Sequence, residues 1–172
     1  MLRIDLGALS AGPIGLDQVV PADDPVFEPL EFELCEPVKL SGRLTDAGNN
    51  RYYWRGGLRT RVKTGCRRCL ADLEVEIEQP IEVLFAEEEN AEDPAVYVIP
   101  PRATELDLSE AVREELILAV PDYSLCREEC RGICPRCGTD LNTGTCSCAP
   151  EPDPRWAPLA KLKATTTDQE VE

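Results

Sequence analysis

The chain has 172 residues, which suits one folded domain with a small appendage. Its 42% hydrophobic and 30% charged residues are the balance of a soluble globular protein. It contains no histidine, which excludes Ser-His-Asp and Cys-His catalysis, histidine-ligated metals and the HExxH protease motif. The formal net charge of −15 disfavours nucleic-acid contact over the surface as a whole.

Leu2, Ile4 and Leu6 alternate and predict a first strand. Asp5 interrupts this stretch, so Met1 to Gly7 does not read as a signal peptide. No apolar run approaches the ~20 residues that span a bilayer, and a cytoplasmic protein is expected. Residues 10–25 hold Gly12, Pro13, Gly15, Pro21 and Pro25 and read as loop. Leu30, Phe32 and Leu34 alternate again, followed by Val38 and Leu40 before Gly42. Residues 46–50 are turn material. Tyr53 to Lys63 predicts a strand, with Gly56-Gly57 marking a bulge or a close backbone approach. Two more alternating sets follow: Leu73, Val75 and Ile77, then Ile81, Val83 and Phe85. Pro80 stands between them, at an edge or bend. Residues 87–93 carry five acids and read as a solvated, mobile loop, and Val96 to Ile99 reads as a short final strand.

The chain's clearest helix runs from about Leu108 to Val120. Asp107 is a good N-cap, and Glu110 three residues on completes a capping-box pattern. Leu108, Ala111, Val112, Leu116 and Ala119 share one face, and Pro121 ends the helix. Residues 126–148 have no periodicity and cannot build an apolar core, so metal is expected to hold them. Beyond Ala149 the chain is Pro-rich, with Trp156, Leu159 and Leu162 as a docking segment and a frayed end. The expected organisation is a strand-rich core with a closing helix over 1–120, a cysteine-rich zinc-binding segment over 121–150, and a docking tail over 151–172. The fold class is α+β, mainly an antiparallel sheet or partial barrel with one packed helix and a C-terminal zinc knuckle.

Nine cysteines without an export signal point to metal rather than disulfides. Eight stand in pairs, enough for two structural Zn²⁺ sites, and Cys35 is left over as a small apolar residue. Cys134-Pro135-Arg136-Cys137-Gly138 has the spacing and glycine of a zinc knuckle, and Cys146-Ser147-Cys148 supplies its other half. A second site then takes Cys66, Cys69, Cys126 and Cys130 and closes a long loop. Spacing alone leaves the partition open, since Cys126 and Cys130 can trade with Cys134 and Cys137. A redox CxxC, an iron–sulfur cluster and free thiols are the rivals. A redox pair wants a helix N-terminus, whereas Cys66 and Cys69 precede a strand; the knuckle glycines and the CxC favour zinc over iron–sulfur.

Between Arg51 and Arg68 lie seven basic residues and no acidic one. Arg51-Tyr52-Tyr53-Trp54-Arg55 sets aromatics between arginines, a combination that grips phosphate and stacks on unpaired bases. Arg59, Arg61 and Lys63 share one face of a strand, with Leu58, Thr60 and Val62 behind them. The expected RNA-contact set is Arg51, Tyr52, Trp54, Arg55, Arg59, Arg61, Lys63, Arg67 and Arg68. The competing reading pairs these cations with Glu74, Glu76 and Glu78, which alternate on a neighbouring strand, and gives Trp54 to the core.

The combination resembles the YceD family, named for accumulation of large-subunit ribosomal RNA. The resemblance rests on Gly65-Cys66-Arg67-Arg68-Cys69-Leu70, the helix from Asp107 to Leu118, and Pro121 with Cys126, Cys130 and Gly132. It continues through Cys134-Pro135-Arg136-Cys137-Gly138, Leu141-Asn142, Cys146, Cys148 and Asp153-Pro154-Arg155-Trp156 to Leu162. It implies a cytoplasmic, non-enzymatic ribosome-biogenesis factor whose partner is large-subunit ribosomal RNA or a pre-ribosomal particle. Some members of that family lack the second cysteine cluster, which implies that Cys66 and Cys69 pair with Cys126 and Cys130. The alternative is an acidic, zinc-stabilised adaptor for a basic ribosomal protein or assembly factor.

Overall fold

The alternating apolar positions between residues 38 and 85 build three long neighbouring strands, and the rest of the first unit is arranged around them. A computed structural model describes residues 2–87, 95–148 and 155. The chain divides into two compact units, Met1–Cys130 and Arg131–Glu172. In the first are β1 (Arg3–Asp5), β2 (Ile14–Val20), β3 (Glu33–Leu34), β4 (Val38–Gly48), β5 (Arg51–Gly65), β6 (Asp72–Glu87), β7 (Tyr97–Ile99), β8 (Glu105–Asp107) and α1 (Ser109–Ala119). The main sheet runs β2-β4-β5-β6-β7, with β3 also paired to β5, while β1 and β8 form a separate ribbon. All pairs are antiparallel except β6 with β7. The strands thus form an open α+β sheet rather than a closed barrel.

The β4–β5 hairpin turns on Asn49 and Asn50, both at positive φ, the backbone that a two-residue hairpin requires and that asparagine tolerates. Even-numbered residues of β4 and β5 face inward: Val38, Leu40, Leu44, Trp54, Leu58, Thr60 and Val62 are all buried. Odd-numbered Ile77, Ile81, Val83 and Phe85 do the same on β6. Helix α1 lays Ala111, Val112 and Leu116 against β6 and completes this core with Ile4, Phe27 and Leu106. The other face of the sheet is open to solvent, the usual arrangement for an antiparallel sheet with one packed layer.

Several sequence expectations change. Residues 14–20, expected as loop, form β2 along the whole of 38–44 of β4. Gly12, Pro13 and Pro21 flank this strand rather than interrupt it. Gly42 lies inside β4, because it faces Gly56 and leaves room for the Trp54 ring; a Cβ there would meet Trp54 Cζ2 at 2.4 Å and Gly56 Cα at 2.7 Å. The two alternating sets on either side of Pro80 form one strand, since 73 to 85 keep a single parity and Pro80 stands where β6 has no second neighbour. Strand β7 is not the last, because β8 returns to pair with β1. Cys35 is exposed, not a core residue. The helix begins about where Asp107 predicts, its carboxylate accepting from the Ser109 N–H at 2.9 Å. Most of the acidic loop (residues 88–94) and the docking segment with Trp156, Leu159 and Leu162 lie outside the described residues.

Candidate metal centres and the charged sheet face

The eight paired cysteines come together as two groups, Cys66, Cys69, Cys126 and Cys130 in the first unit and Cys134, Cys137, Cys146 and Cys148 in the second. Within each, the four sulfurs lie within 4.8 Å of one another. In the first group the Cys66–Cys130 sulfurs are 3.8 Å apart and the Cys69–Cys126 sulfurs 3.6 Å. A tetrahedral Zn²⁺ with bonds of about 2.3 Å separates its sulfurs by about 3.8 Å, so the donor set fits that ion.

The first knuckle begins where β5 ends. The Cys66 N–H donates to the Ala71 carbonyl and the Leu70 N–H to that of Cys66, both at 2.8 Å, with Leu70 at φ 62°. The second repeats this turn: Cys134 N–H to Thr139 at 2.8 Å, Gly138 N–H to Cys134 at 2.9 Å, and Gly138 at φ 72°. Leucine thus occupies, in the first turn, the left-handed position that glycine fills in the second. The Arg67 N–H donates to the Ser124 carbonyl at 2.9 Å, and Arg68 donates to the Cys130 and Glu128 carbonyls. These bonds bring the segment after the helix to the knuckle. In the second unit, Asp140 accepts from the Asn142 N–H at 2.8 Å, and Asn142 in turn accepts from the Arg131 N–H at 2.8 Å.

Backbone N–H groups of Cys69 and Cys126 point at the Cys66 sulfur and hold its thiol down to about 6. The Thr139 hydroxyl and N–H do the same for Cys137, also to about 6. Neighbouring sulfurs push the other side of each group up, Cys126 and Cys148 to about 12. Four thiolates this close repel one another unless a cation stands among them, which is what a cysteine-only metal site provides.

The basic segment divides by strand parity. Arg55, Arg59, Arg61 and Lys63 lie on the solvent side of β5, and carboxylates of β6, of β3 and of Glu36 just after β3 meet them there. Arg55 pairs with Glu82 at 3.0 Å, and Arg59 with Glu78 at 2.8 Å and Glu76 at 4.0 Å. Arg61 pairs with Glu36 at 3.1 Å and Glu74 at 3.7 Å, and Lys63 with Asp72 at 3.8 Å and Glu33 at 3.9 Å. The other five expected contact residues are elsewhere. Trp54 is fully buried and Tyr52 packs on the core, so no base can stack on Trp54. Both share the parity of Leu58 and Val62, which is the sequence signal that places them. Arg68 is committed to backbone carbonyls beside the first cysteine group. Arg51 is half-buried at the hairpin end, and the Arg67 guanidinium lies 3.7 Å over the ring of the exposed Tyr123.

Sequence reasoning missed Lys39 and Arg43. They alternate with Val38 and Leu40, so β4 carries them on the same open face, opposite Arg59 and Arg55. Among the described residues no helix is long and apolar enough to cross a membrane.

The family described as "YceD: Large ribosomal RNA subunit accumulation protein YceD" matches residues 54–163. A Mycobacterium tuberculosis protein named as uncharacterized is 28% identical over 109 residues, 60% of this chain and 51% of its own length. A Mycobacterium leprae protein, also named as uncharacterized, is 25% identical over 97% of this chain and 78% of its own. The Arabidopsis thaliana protein named "Large ribosomal RNA subunit accumulation protein YCED homolog 1, chloroplastic" is 32% identical over 72 residues, 41% of this chain and 22% of its own. The matched stretch thus spans about half the length of the Mycobacterium tuberculosis relative. No solved structure matches the chain.

Proposed function

The chain belongs to the YceD family, and from that premise we propose that it is a non-enzymatic factor supporting maturation or accumulation of large-subunit ribosomal RNA. Each four-cysteine group holds one structural Zn²⁺, which supplies cross-links in place of an apolar core. The protein touches RNA directly. The observation that carries this reading is the open face of the sheet, where β4 and β5 together present Lys39, Arg43, Arg55, Arg59, Arg61 and Lys63 to one side. The carboxylates on these cations are exposed, and exposed pairs contribute only about 0–1 kcal/mol each, so a phosphate backbone can displace them. Tyr123 under Arg67 offers an aromatic surface for an unpaired base.

UV crosslinking of the tagged protein in its own cells, followed by sequencing of attached RNA, tests the reading. A sharp peak on large-subunit ribosomal RNA or its precursor is the expected result. A clean negative, with the protein still migrating with pre-ribosomal particles, overturns direct RNA contact. One observation favours that second outcome: every β5 cation from Arg55 to Lys63 already has a carboxylate partner, as in an acidic adaptor that holds a basic ribosomal protein or assembly factor.

A further inference from the structure

We propose that the phosphate-binding part of the open face is centred on Lys39 and Arg43 of β4, with Arg59 and Arg55 beside them. Its ligand is the phosphodiester backbone of single-stranded RNA. The proposal rests on the RNA-contact reading above and names the residues that make the contact.

Three observations converge on this place. The register sets Lys39 directly opposite Arg59 and Arg43 directly opposite Arg55. Like charges directly opposite on one face of a sheet destabilise it, and a polyanion lying across them relieves that repulsion. The second observation is the distribution of carboxylates. Arg59, Arg61 and Lys63 each stand between two, Glu76 and Glu78 for the first, Glu36 and Glu74 for the second and Glu33 and Asp72 for the third. Among the described residues no carboxylate pairs with Lys39 or Arg43. From β2, Gly15 faces Arg43 and Val19 faces Lys39, while Asp17 faces Ser41, at the register position between the two cations. The third observation is shape. Beside the Lys39–Arg59 pair the face drops into an open hollow of about 510 Å³, because Ser41 is short and Gly57, opposite it, has no side chain; Asp17 and Glu78 also line it. The Ser41 hydroxyl adds a donor at its floor. Lys39 and Arg43 are four residues apart, about 13 Å along the strand, so they mark two points of one backbone track rather than a single anion site.

The acids decide the direction of that track. Glu74, Glu76, Glu78 and Glu82 line the outer side of β5 and repel a phosphate chain there. The β2 side offers one acid, Asp17, against these four, so the backbone follows β4, on the side away from β6.

Fluorescence anisotropy with a fluorescein-labelled 20-nucleotide single-stranded RNA of mixed sequence, over a salt series, tests this on the full chain. The double substitution Lys39→Gln with Arg43→Gln should weaken binding at least tenfold at low salt. It should also reduce the log–log salt slope by about 1.4, at about 0.7 per phosphate contact on a single strand. Arg61→Gln with Lys63→Gln should change affinity less than threefold. Lys39→Arg with Arg43→Lys, which keeps both charges, should retain the wild-type slope, and unchanged thermal unfolding checks that the variants are folded. A larger loss from the Arg61 and Lys63 pair, with an unchanged slope in the β4 variant, overturns this inference and leaves RNA contact standing. Wild-type protein that does not bind the RNA at low salt overturns the RNA-contact reading itself.

Discussion

The guanidinium of Arg68 donates to the carbonyl oxygen of Cys130 at 2.9 Å, joining the knuckle after β5 to the segment after α1. The same nitrogen reaches the Glu128 carbonyl at 3.2 Å. An arginine that sequence reading assigns to RNA is a positioning residue for the first cysteine group. Arg68→Ala should lower the zinc affinity of that group about tenfold or more, as loss of a partner that orients ligands does. Competition with a chromogenic chelator will measure it. The group at Cys134 should keep its affinity, and an equal loss at both groups would remove the assignment.

Metal analysis should find two Zn²⁺ per chain, and one after all four cysteines of either group are changed to serine. Because such binding energy is also folding energy, chelation should open residues 121–148 to protease. The β4 and β5 strands should stay protected, since their burial does not depend on cysteine. Protection of 121–148 in the stripped protein would refute a structural role for metal there.

The two knuckles make the same backbone demand at one position and fill it with different residues. No atom lies near a Cβ built on Gly138, so Gly138→Leu meets only the backbone cost of the left-handed conformation, about 1–2 kcal/mol. Leu70 already bears that cost, and its side chain is 68% exposed. Leu70→Gly should therefore be tolerated without loss of stability, while Gly138→Leu lowers the denaturation midpoint of the second unit. A large loss from Leu70→Gly would mean that the leucine side chain has a packing role.

Gly42 and Gly56 face each other so that the Trp54 ring can lie over them. Gly42→Ala should destabilise the first unit by about 1–3 kcal/mol, because the added methyl meets both the ring and the opposing backbone. Trp54→Ala should cost about 3–5 kcal/mol. The indole N–H has no acceptor among the described residues, so Trp54→Phe should be much milder than Trp54→Ala. Urea titration compares all three.

Burial opposes ionisation of Asp107, but the Ser109 hydroxyl and N–H and the Arg3 guanidinium outweigh it and hold the carboxyl below its ordinary value. Its folded pKa is thus below the unfolded one. The stability it contributes is complete above the unfolded value, about 3.9, and is lost as pH falls through the folded one. Asp107→Asn should flatten the acid limb of a stability-against-pH curve below about pH 4. Asp107→Ala should cost about 0.5–2 kcal/mol at neutral pH, the usual effect of losing a helix cap.

Much of the fold was legible because strand parity is local. Arg59, Arg61 and Lys63 alternate with Leu58, Thr60 and Val62, and the structure keeps them on opposite faces. The same rule, applied to Val38 and Leu40, finds Lys39 and Arg43. Residues 14–20 were not legible as β2: Gly15, Asp17 and Gln18 dilute the alternation of Ile14, Leu16 and Val20, and flanking prolines resemble loop punctuation. Their strand state depends on the backbone groups of β4 offered alongside.

The sequence by itself determined the cysteine inventory, the absence of histidine, the capped helix and the two faces of β5. Each follows from residue type or from a period of two or 3.6 along the chain. The tertiary structure decided what depends on distant partners. It brought Cys66 and Cys69 to Cys126 and Cys130 across a long loop, took Trp54 into the core, and set carboxylates from β3 and β6 against the β5 cations. It also left Lys39 and Arg43 beside like charges, a relation set by the register between two strands rather than by either strand's own residues.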